Sequence, residues 1–347
     1  MEYFDLSSWH EVLQYALENQ VSDIHISAEQ PVFLRQYGKL KKVMEEKMLT
    51  DADLEEILSR MLSVNRIKDF EMRRGIDFSW EYKQRRFRVN AYYQRNHIAL
   101  ALRLMPKDIP DLIQLGCPQR LKAIAGSEHG LLLVTGKTGS GKTTTLASLL
   151  NYMNQTRVAH IITLEDPIEY IHSSQNCLID QREFGSDFLS FSKALRSSLR
   201  EDPDVLLIGE IRDQETMLTA LHAAETGHFV LGSLHTQSAD EAAMRIESMF
   251  PAEQQAQIRA QLAVVLTGVF SQRLLLGTSG KPVCAAEFLL TTPAIRNIIR
   301  TGKYHQLKSH ILSGTSLGMQ TLEMCLEELC CKNAITRDTV NACLALF

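Results

Sequence analysis

The spacing of apolar residues divides the chain into two stretches of different character. In the first third, apolar and polar residues alternate over short runs, as at 21–27 and 87–92. Farther along, runs of four consecutive apolar residues occur, as at 131–134 and 205–208, separated by stretches of helical periodicity. Alternation is typical of strands with one buried face, whereas continuous apolar runs are typical of strands buried on both faces. The pattern predicts two domains with different sheets.

The first stretch predicts a small α+β domain. Apolar residues recur at helical spacing between Asp51 and Leu62, and Tyr37-Gly38 separates two short runs that predict a hairpin. Asp23 and His25 share one strand face, where a structural hydrogen bond is favoured over a metal or acid–base pair. The predicted strands are 21–27, 32–34, 39–43, 76–80, 87–92 and 98–104.

Arginines crowd the second half of this domain and permit two interpretations. One is a solvated sheet face, whose surface ion pairs contribute little energy. The other is that some of them reach a polyphosphate on the other domain or on a neighbouring subunit, because a guanidinium stays charged and binds phosphate with two donors. The residues are Arg85, Arg86, Arg88, Arg95 and Arg103.

A boundary between the domains is predicted where two prolines, Pro106 and Pro110, oppose regular structure. We expect the first domain to span 1–110, a linker to span 111–117 and the second domain to span 118–347.

The stretch from Gly136 to Thr143 fits the phosphate-loop pattern G-x-x-x-x-G-K-[ST] at every fixed position. It lies between an apolar run and a helix-compatible run, which is the strand–loop–helix context that such a loop needs. Lys142 is expected to reach the β- and γ-phosphates, and the Thr143 hydroxyl is expected to bind Mg²⁺. The predicted nucleotide-binding residues here are Gly136, Lys137, Thr138, Gly139, Ser140, Gly141, Lys142, Thr143 and Thr144.

Polar residues follow three further buried strands. Carboxylates cluster at Glu165-Asp166 and Glu169 after the run at 160–164, where one of them could orient or deprotonate an attacking water. Glu210 ends an apolar run about 70 residues after the phosphate loop, and it is expected to bind Mg²⁺ through water or to polarise the nucleophile. His235 is expected at the tip of the strand at 226–236, where it could bind the γ-phosphate. Strands alternating with helices predict an α/β fold with a mostly parallel sheet covered on both faces.

The remaining elements are predicted from periodicity and turn residues. A hairpin is predicted at 170–185, helices at 187–200 and 211–225, and extended segments at 271–276 and 283–290. The final helices are predicted at 292–300, 304–312, 318–331 and 336–346.

Composition and charge narrow the function classes. The chain has 347 residues, of which 45% are hydrophobic and 22% charged, and its net charge of −4 counts against a general nucleic-acid binder. None of the seven cysteines forms a C-x-x-C pair, so a structural zinc site is not expected. Neither an export signal nor a run of about 18 apolar residues is found, and we expect a cytoplasmic protein with reduced thiols and no membrane insertion.

The ordered motifs resemble those of the secretion and type IV pilus ATPase family. The phosphate loop, Thr163–Glu169, Leu206–Asp213 and Thr226–Thr236 occur in the order of its Walker A, Asp, Walker B and His boxes, and Ser22–Ser27 resembles its N-terminal signature. The resemblance implies a RecA-like P-loop ATPase domain with a smaller PAS-like N-terminal domain, a homohexameric ring, and ATP with Mg²⁺.

The resemblance also implies roles for individual residues. Glu169 matches the water-activating carboxylate, Glu210 the Walker B glutamate, and His228 and His235 the His-box pair; Lys142 completes the expected catalytic set. The candidates for nucleotide-contacting arginines, some from an adjacent subunit, are Arg88, Arg103 and Arg245, with Arg196 and Arg200 as weaker ones.

One segment favours the retraction branch of that family. Ala294–Arg300 is similar to the retraction-linked sequence Ala-Ile-Arg-Asn-Leu-Ile-Arg-Glu, except that Ile298 replaces Leu and Thr301 replaces the final Glu. Lys137 stands where the family commonly has Pro, and we expect phosphate binding to survive this change.

The predicted function is an ATP-driven motor for type IV pilus retraction. It would act at the inner face of the cytoplasmic membrane, on an inner-membrane platform protein and the pilus machinery, without nucleic acid. The alternatives are an assembly, type II secretion or DNA-uptake ATPase of the same family, a non-hydrolytic nucleotide-dependent scaffold, and a RecA-like nucleic-acid motor, which the acidic net charge disfavours.

Overall fold

The computed structural model describes residues 9–43 and 48–345, so Leu346, the end of the last predicted helix, lies outside the described residues. Its contacts divide the chain into two compact units. One comprises Met1–Asp108 together with Pro167–Tyr170, and the other comprises Ile109–Asp166 together with Ile171–Phe347.

The first unit contains a six-stranded antiparallel sheet in the order β3-β2-β1-β6-β5-β4. Its strands are β1 Val21–Ser27, β2 Val32–Gln36, β3 Lys39–Val43, β4 Gly75–Tyr82, β5 Arg85–Gln94 and β6 His97–Leu104. Its helices are α1 Trp9–Glu18, α2 Asp51–Met61 and α3 Val64–Arg73.

Alternation along the strands builds the core of this unit. In β5, Phe87, Val89 and Ala91 are fully buried, whereas Arg88 and Asn90 between them are only half-buried. Because successive side chains point to opposite faces of a sheet, one face packs into the core and the other carries the arginines. The predicted hairpin around Tyr37-Gly38 is confirmed, whereas α3 was not predicted because only Phe70 of its residues is buried.

The second unit contains a seven-stranded sheet in the order β13-β12-β7-β11-β10-β8-β9. Five neighbouring pairs are parallel and the edge pair β12–β13 is antiparallel, which confirms the predicted mostly parallel sheet. The strands are β7 Gly130–Thr135, β8 His160–Glu165, β9 Leu178–Glu183, β10 Val205–Ile208, β11 Phe229–Leu234, β12 Leu266–Leu276 and β13 Pro282–Leu290.

Helices cover both faces of this sheet. Leu131 and Leu133 of β7 belong to the same core as α7, whereas Leu132 and Val134 belong to a second core with α5. A strand between two cores must be apolar throughout, which explains the continuous apolar runs. The helices are α4 Gln119–Ile124, α5 Lys142–Thr156, α6 Phe191–Ser198, α7 Gln214–Glu225, α8 Ala239–Ser248, α9 Ala252–Val265, α10 Pro293–Thr301, α11 Leu307–Ser313, α12 Leu322–Cys331 and α13 Arg337–Leu344.

The hairpin predicted at 170–185 is wrong. Only β9 forms there, and it pairs with β8 in parallel at the sheet edge. Ahead of β9 the chain is held by Asn154 of α5, whose Nδ2 donates to Ser173 O and whose Oδ1 accepts from Gln175 N and Cys177 N. The Asn154 side chain thus satisfies three backbone groups of this segment, and Gln181 Oε1 accepts from a fourth, His172 N, at 2.8 Å.

The helix predicted at 187–200 is shorter than expected. It begins after Ser190, whose Oγ accepts a hydrogen bond from Lys193 N, and Asp187 instead accepts a hydrogen bond from Glu183 N in the preceding turn. Serine at the N-cap marks where the helix can start.

Candidate active site

The phosphate loop joins β7 to α5. At Gly136, which has φ of 150°, an added Cβ would collide with the backbone oxygen of Gln272 and with Ser140 Oγ, so only glycine fits. Gly141 lies in the left-handed region with φ of 88° and caps α5. These two glycines fold the loop tightly at the end of a central strand.

Lys142 places its ammonium group over this loop. Its Nζ donates to Gly136 O at 2.8 Å and to Lys137 O at 3.2 Å. Thr143 and Thr144 follow in the first turn of α5 and are half-buried. The N-terminus of this 15-residue helix adds partial positive charge beside the ammonium group, which suits a bound anion.

Arg212 connects the carboxylates that follow two adjacent strands. Since β8 and β10 are parallel neighbours, Asp166 and Glu210 lie at the same edge of the sheet. Arg212 Nη1 lies 3.4 Å from Asp166 Oδ2, and Nη2 lies 2.7 Å from Glu210 Oε2. The sequence interpretation assigned no role to Arg212, although its position two residues after the acidic strand tip was an available signal.

Glu210 also pairs with His235, whose Nε2 lies 2.8 Å from Glu210 Oε1. Burial alone would raise the pKa of Glu210, but the hydrogen bond from Arg212 and the positive charges of Arg212, His235 and Lys142 together lower that pKa below its usual range. The carboxylate is therefore ionised at neutral pH. The structure thus brings three predicted residues, Lys142, Glu210 and His235, into one region.

His228 lies at the opposite edge of the sheet from His235. Its Nδ1 lies 3.0 Å from Ala223 O and 3.3 Å from Thr226 Oγ1, in the turn before β11. The strand between the two histidines has six residues, a length of about 20 Å at 3.3 Å per residue. This placement separates His228 from Glu210 and gives it local hydrogen bonds at the end of α7.

The remaining carboxylates have different surroundings. Glu165 is buried and its Oε1 accepts hydrogen bonds from Thr163 Oγ1 at 2.7 Å and Gln181 Nε2 at 3.1 Å, so it is held within the sheet. Glu169 is half-buried and belongs to the segment Pro167–Tyr170, which groups with the first unit. Its predicted role in activating water stays a prediction.

The candidate arginines occupy exposed or partly exposed positions. In the strand register, Arg103 lies directly opposite Asp23 on β1 and Arg88 on β5. Its Nε donates to Asp23 Oδ1 at 2.8 Å, and its side chain is 67% exposed. Arg245 is exposed on α8. Contact of any of these arginines with a nucleotide remains a prediction. The weaker candidate Arg196 lies 3.5 Å from Glu215 in an exposed pair.

The donor set fits Mg²⁺ bound together with a phosphate chain. Thr143 offers a hydroxyl and Glu210 an ionised carboxylate, and Mg²⁺ prefers such oxygen ligands. Within residues 9–43 and 48–345, no group of three or more His, Cys, Asp or Glu side chains could hold a metal ion by itself. Thr143 and Glu210 would supply oxygen ligands to a metal ion that also binds the phosphate oxygens of a nucleotide.

No helix within the described part of the chain combines the length and apolarity required to span a membrane.

Comparison with known proteins covers nearly the whole chain. The family model described as type II/IV secretion system protein matches residues 6–320. The type IV pilus retraction ATPase PilT of Pseudomonas aeruginosa is 44% identical over 332 residues, which cover 95% of this chain and 96% of that protein. A twitching motility protein of Neisseria gonorrhoeae is 42% identical over 298 residues, or 85% of this chain and 79% of that protein.

A solved structure agrees at the level of the fold. The crystal structure of the pilus retraction motor PilT with bound ADP superposes with a TM-score of 0.89 at 42% identity, covering 96% of each chain. This agreement confirms the predicted fold class, a RecA-like ATPase domain with a smaller N-terminal domain.

Proposed function

The chain belongs to the type II/IV secretion system protein family, and from this premise we propose that it is an ATP-hydrolysing motor that drives the retraction of type IV pili. The observation that carries the enzymatic part is the junction of Glu210 with His235 and Arg212, close enough to Lys142 for its charge to act on the carboxylate. The retraction role is supported by the likeness to the retraction ATPase and the twitching motility protein.

The reaction is attack of water on the γ-phosphate of ATP, in line with the leaving ADP oxygen. Backbone N–H groups of the phosphate loop and of the first turn of α5 hold the phosphates. Lys142 and the N-terminus of α5 stabilise the negative charge that develops in the transition state. His235, which pairs with Glu210, hydrogen-bonds the γ-phosphate. Glu169 accepts a proton from the attacking water.

Mg²⁺, held by Thr143 and through water by Glu210, would neutralise charge on the β- and γ-phosphates when bound. The chain itself keeps Glu210 ionised and fixed, because Arg212 and His235 each engage one of its two oxygens. A carboxylate oriented from both sides loses little entropy when it binds a further group.

The assembly is a homohexamer in which arginines from a neighbouring subunit complete the site. Arg88, Arg103 and Arg245 are the candidates for this contact. The ring acts at the inner face of the cytoplasmic membrane, on an inner-membrane platform protein of the pilus machinery.

A phosphate-release assay tests the enzymatic part. Lys142→Ala and Glu210→Gln are each expected to lower turnover by about 100-fold or more, because each removes charge stabilisation or orientation at the reacting phosphate. Lys332→Ala is the matched control, because Lys332 pairs only with Glu328 on the surface of α12 among the contacts described. Full turnover in both site variants would contradict the site, and no turnover in the unmodified chain would favour the scaffold alternative.

Counting pili in a deletion strain tests the retraction role. Loss of a retraction motor leaves abundant pili without twitching, whereas loss of an assembly motor leaves none. Complementation with Glu210→Gln is expected to restore neither twitching nor normal pilus number. A strain without pili would favour the assembly alternative.

A further inference from the structure

Glu210 lies in a turn beyond the end of β10. The last residue pair of the parallel ladder between β10 and β11 is Ile208 with Gly232, and Glu210 follows two residues later. The regular strand pairing therefore does not set the path of the chain at Glu210. Because the backbone on either side of a residue sets the direction of its side chain, the contacts of Gly209 and Ile211 decide where this carboxylate points.

Ser233 of β11 holds the backbone on both sides of Glu210. Its Oγ donates to Gly209 O, and its backbone oxygen accepts a hydrogen bond from Ile211 N at 3.0 Å. Ser233 is only 2% exposed, so little water competes for the hydrogen bond of its hydroxyl. One residue thus brackets Glu210, through its side chain before the glutamate and through its main chain after it.

The turn is also closely packed against β8. Gly209 N donates to Leu164 O at 2.8 Å. A Cβ at Gly209 would lie 3.2 Å from Leu164 O and 3.3 Å from Glu165 Cα, both of which are backbone atoms. The turn is therefore held between β8 on one side and Ser233 on the other, and the hydroxyl of Ser233 is the side-chain part of this support.

The end of β11 also contacts the phosphate loop. Leu234 O accepts a hydrogen bond from Gly136 N at 3.2 Å, and His235 Nε2 lies 2.8 Å from Glu210 Oε1. Three consecutive residues, 233–235, thus contact the backbone beside Glu210, the first glycine of the loop and the carboxylate itself. This arrangement fixes the separation between Glu210 and the phosphate loop.

We propose that Ser233 is a positioning residue for ATP hydrolysis, whose hydroxyl holds Glu210 at the separation from the phosphate loop that the reaction requires. This inference rests on the proposed ATPase function. The Ser233 hydroxyl donates to Gly209 O, so its effect on the reaction runs through the position of Glu210. Without the hydroxyl, the turn loses its support from β11, and the carboxylate occupies its productive position less often.

Steady-state phosphate release by the full chain, with ATP and Mg²⁺, tests this role. Ser233→Ala should lower kcat by about tenfold and change KM for ATP by less than about twofold, because the phosphate loop itself is untouched. Ser233→Thr keeps a hydroxyl and should retain at least about half of the normal kcat. All rates are expressed per folded molecule, with the folded fraction taken from thermal unfolding of each variant.

Ser198→Ala is the matched control. Ser198 is also fully buried, and its Oγ accepts a hydrogen bond from Arg182 Nη1 at 3.3 Å at the end of α6. The control therefore removes a buried hydroxyl from the same unit without touching the turn at Glu210, and it should leave kcat unchanged. An equal loss of kcat in the two alanine variants would overturn the proposal, as would a folded Ser233→Thr that is as slow as Ser233→Ala.

A double variant shows whether Ser233 acts through Glu210. In the Glu210→Gln background the carboxylate is already lost, so adding Ser233→Ala should lower kcat by less than about twofold, because residues that act as a unit are not additive. A further loss of about tenfold in this background would show that Ser233 supports turnover by another route, and it would overturn the proposal.

The same assay separates failure of this inference from failure of the proposed function. If the unmodified chain releases phosphate and Ser233→Ala is equally fast, the role of Ser233 is wrong and the ATPase function stands. If the unmodified chain releases no phosphate, the proposed function is wrong, and the role of Ser233 in that reaction is refuted with it.

Discussion

Glu210 is held from two sides, and this makes its protonation state depend on its neighbours. Arg212 Nη2 and His235 Nε2 each engage one of its oxygens, and Arg212 also reaches Asp166. An ionised and oriented carboxylate is what the proposed chemistry requires at this position. The contribution of each neighbour can be measured separately at the level of single residues.

Replacing Arg212 with Gln should raise the pKa of Glu210, because it removes the hydrogen bond and the positive charge that lower it most. The acid limb of kcat/KM should then move to higher pH, since Glu210 becomes protonated earlier as pH falls. Turnover at neutral pH should drop by about tenfold to a hundredfold, as is usual when a supporting partner of a site carboxylate is lost. Steady-state phosphate release across pH provides the measurement.

Arg337→Gln is the control for this experiment, because it breaks an exposed pair with Glu327 far along the chain. An acid limb that stays in place in Arg212→Gln would show that Arg212 does not set the protonation of Glu210.

The two histidines of the His box should behave differently. His235→Gln is expected to lower turnover by about tenfold or more without unfolding, because it alters a contact to Glu210. His228→Gln is expected to cost about 1 kcal/mol of stability through its hydrogen bond to Ala223 O, while turnover per folded molecule is kept. Thermal unfolding and phosphate release of both variants distinguish these effects. Equal loss of turnover in both, at unchanged stability, would contradict the separation.

At the level of elements, α8 begins against a buried carboxyl group of β13. Glu287 Oε1 accepts a hydrogen bond from Ala239 N, in the first turn of α8, at 2.8 Å. The pKa of Glu287 is raised to about 7, chiefly by burial. The negative charges of Asp240 on α8 and Glu323 on α12 raise this pKa further, whereas the hydrogen bond from Ala239 N and the positive charge of Lys308 on α11 lower it. The folded state therefore binds a proton more tightly than the unfolded state between the ordinary carboxyl pKa and about 7.

Stability should consequently fall as pH rises through that window and level off above about pH 7, because the unfolded chain gives up its proton first. Glu287→Gln keeps the acceptor for Ala239 N but cannot ionise, so it should be more stable than the unmodified chain by up to about 3 kcal/mol near pH 8. Denaturant unfolding at several pH values measures this difference. Glu328→Gln, at an exposed position on α12, is the matched control, and identical pH profiles for Glu287→Gln and the unmodified chain would refute the prediction.

The helices and strands also show which parts of the fold could be predicted from the sequence alone. Strands buried on both faces, such as β7 and β10, were predictable because their apolar runs have no other stable placement. The segment before β9 was not, because hydrogen bonds with the side chains of Asn154 and Gln181 replace the strand pairing that its composition suggested. Hydrophobic periodicity reports only local burial, so it cannot indicate a hydrogen bond from a side chain of another element.

The same limit applies to the site. Lys142 and Glu210 could be identified because they occupy fixed positions in motifs that end strands. Arg212 was overlooked despite its position two residues after Glu210, because only the sheet shows that it bridges two strands that are separated by more than forty residues in the chain. The resemblance treats His228 and His235 alike, and only the strand between them places them at opposite edges.

In α10, the departures from the retraction-linked sequence are compatible with the fold. Ile298 is buried with Ile295 and Ile299, where an exchange of Leu for Ile conserves volume. Thr301 Oγ1 donates back to Asn297 O at 2.9 Å, so it is accommodated within the helix. Arg296 and Arg300, the two arginines shared with the retraction-linked sequence, are exposed on the surface of α10.

For the whole molecule, the proposed hexamer predicts that arginines of a neighbouring subunit complete the site. In the described part of the chain, Arg103 Nε donates to Asp23 Oδ1, and the arginine side chain is still 67% exposed. Arg245 projects from an exposed position on α8. In a ring with head-to-tail contacts, a residue on one face of a subunit meets the site on the opposite face of its neighbour.

Mixing two inactive variants decides between the arrangements. If Arg103 acts on the neighbouring site, then hexamers assembled from equal amounts of Lys142→Ala and Arg103→Gln contain interfaces where an intact loop meets an intact arginine. Random mixing makes about a quarter of the interfaces complete, so about a quarter of normal phosphate release should return if each interface works independently. If Arg103 serves its own subunit, no mixed interface is complete and activity stays at the level of the separate variants. Arg245→Gln is mixed with Lys142→Ala in the same way. The control is a mixture of Lys142→Ala and Glu210→Gln, which should regain no phosphate release because both residues belong to the same subunit's site.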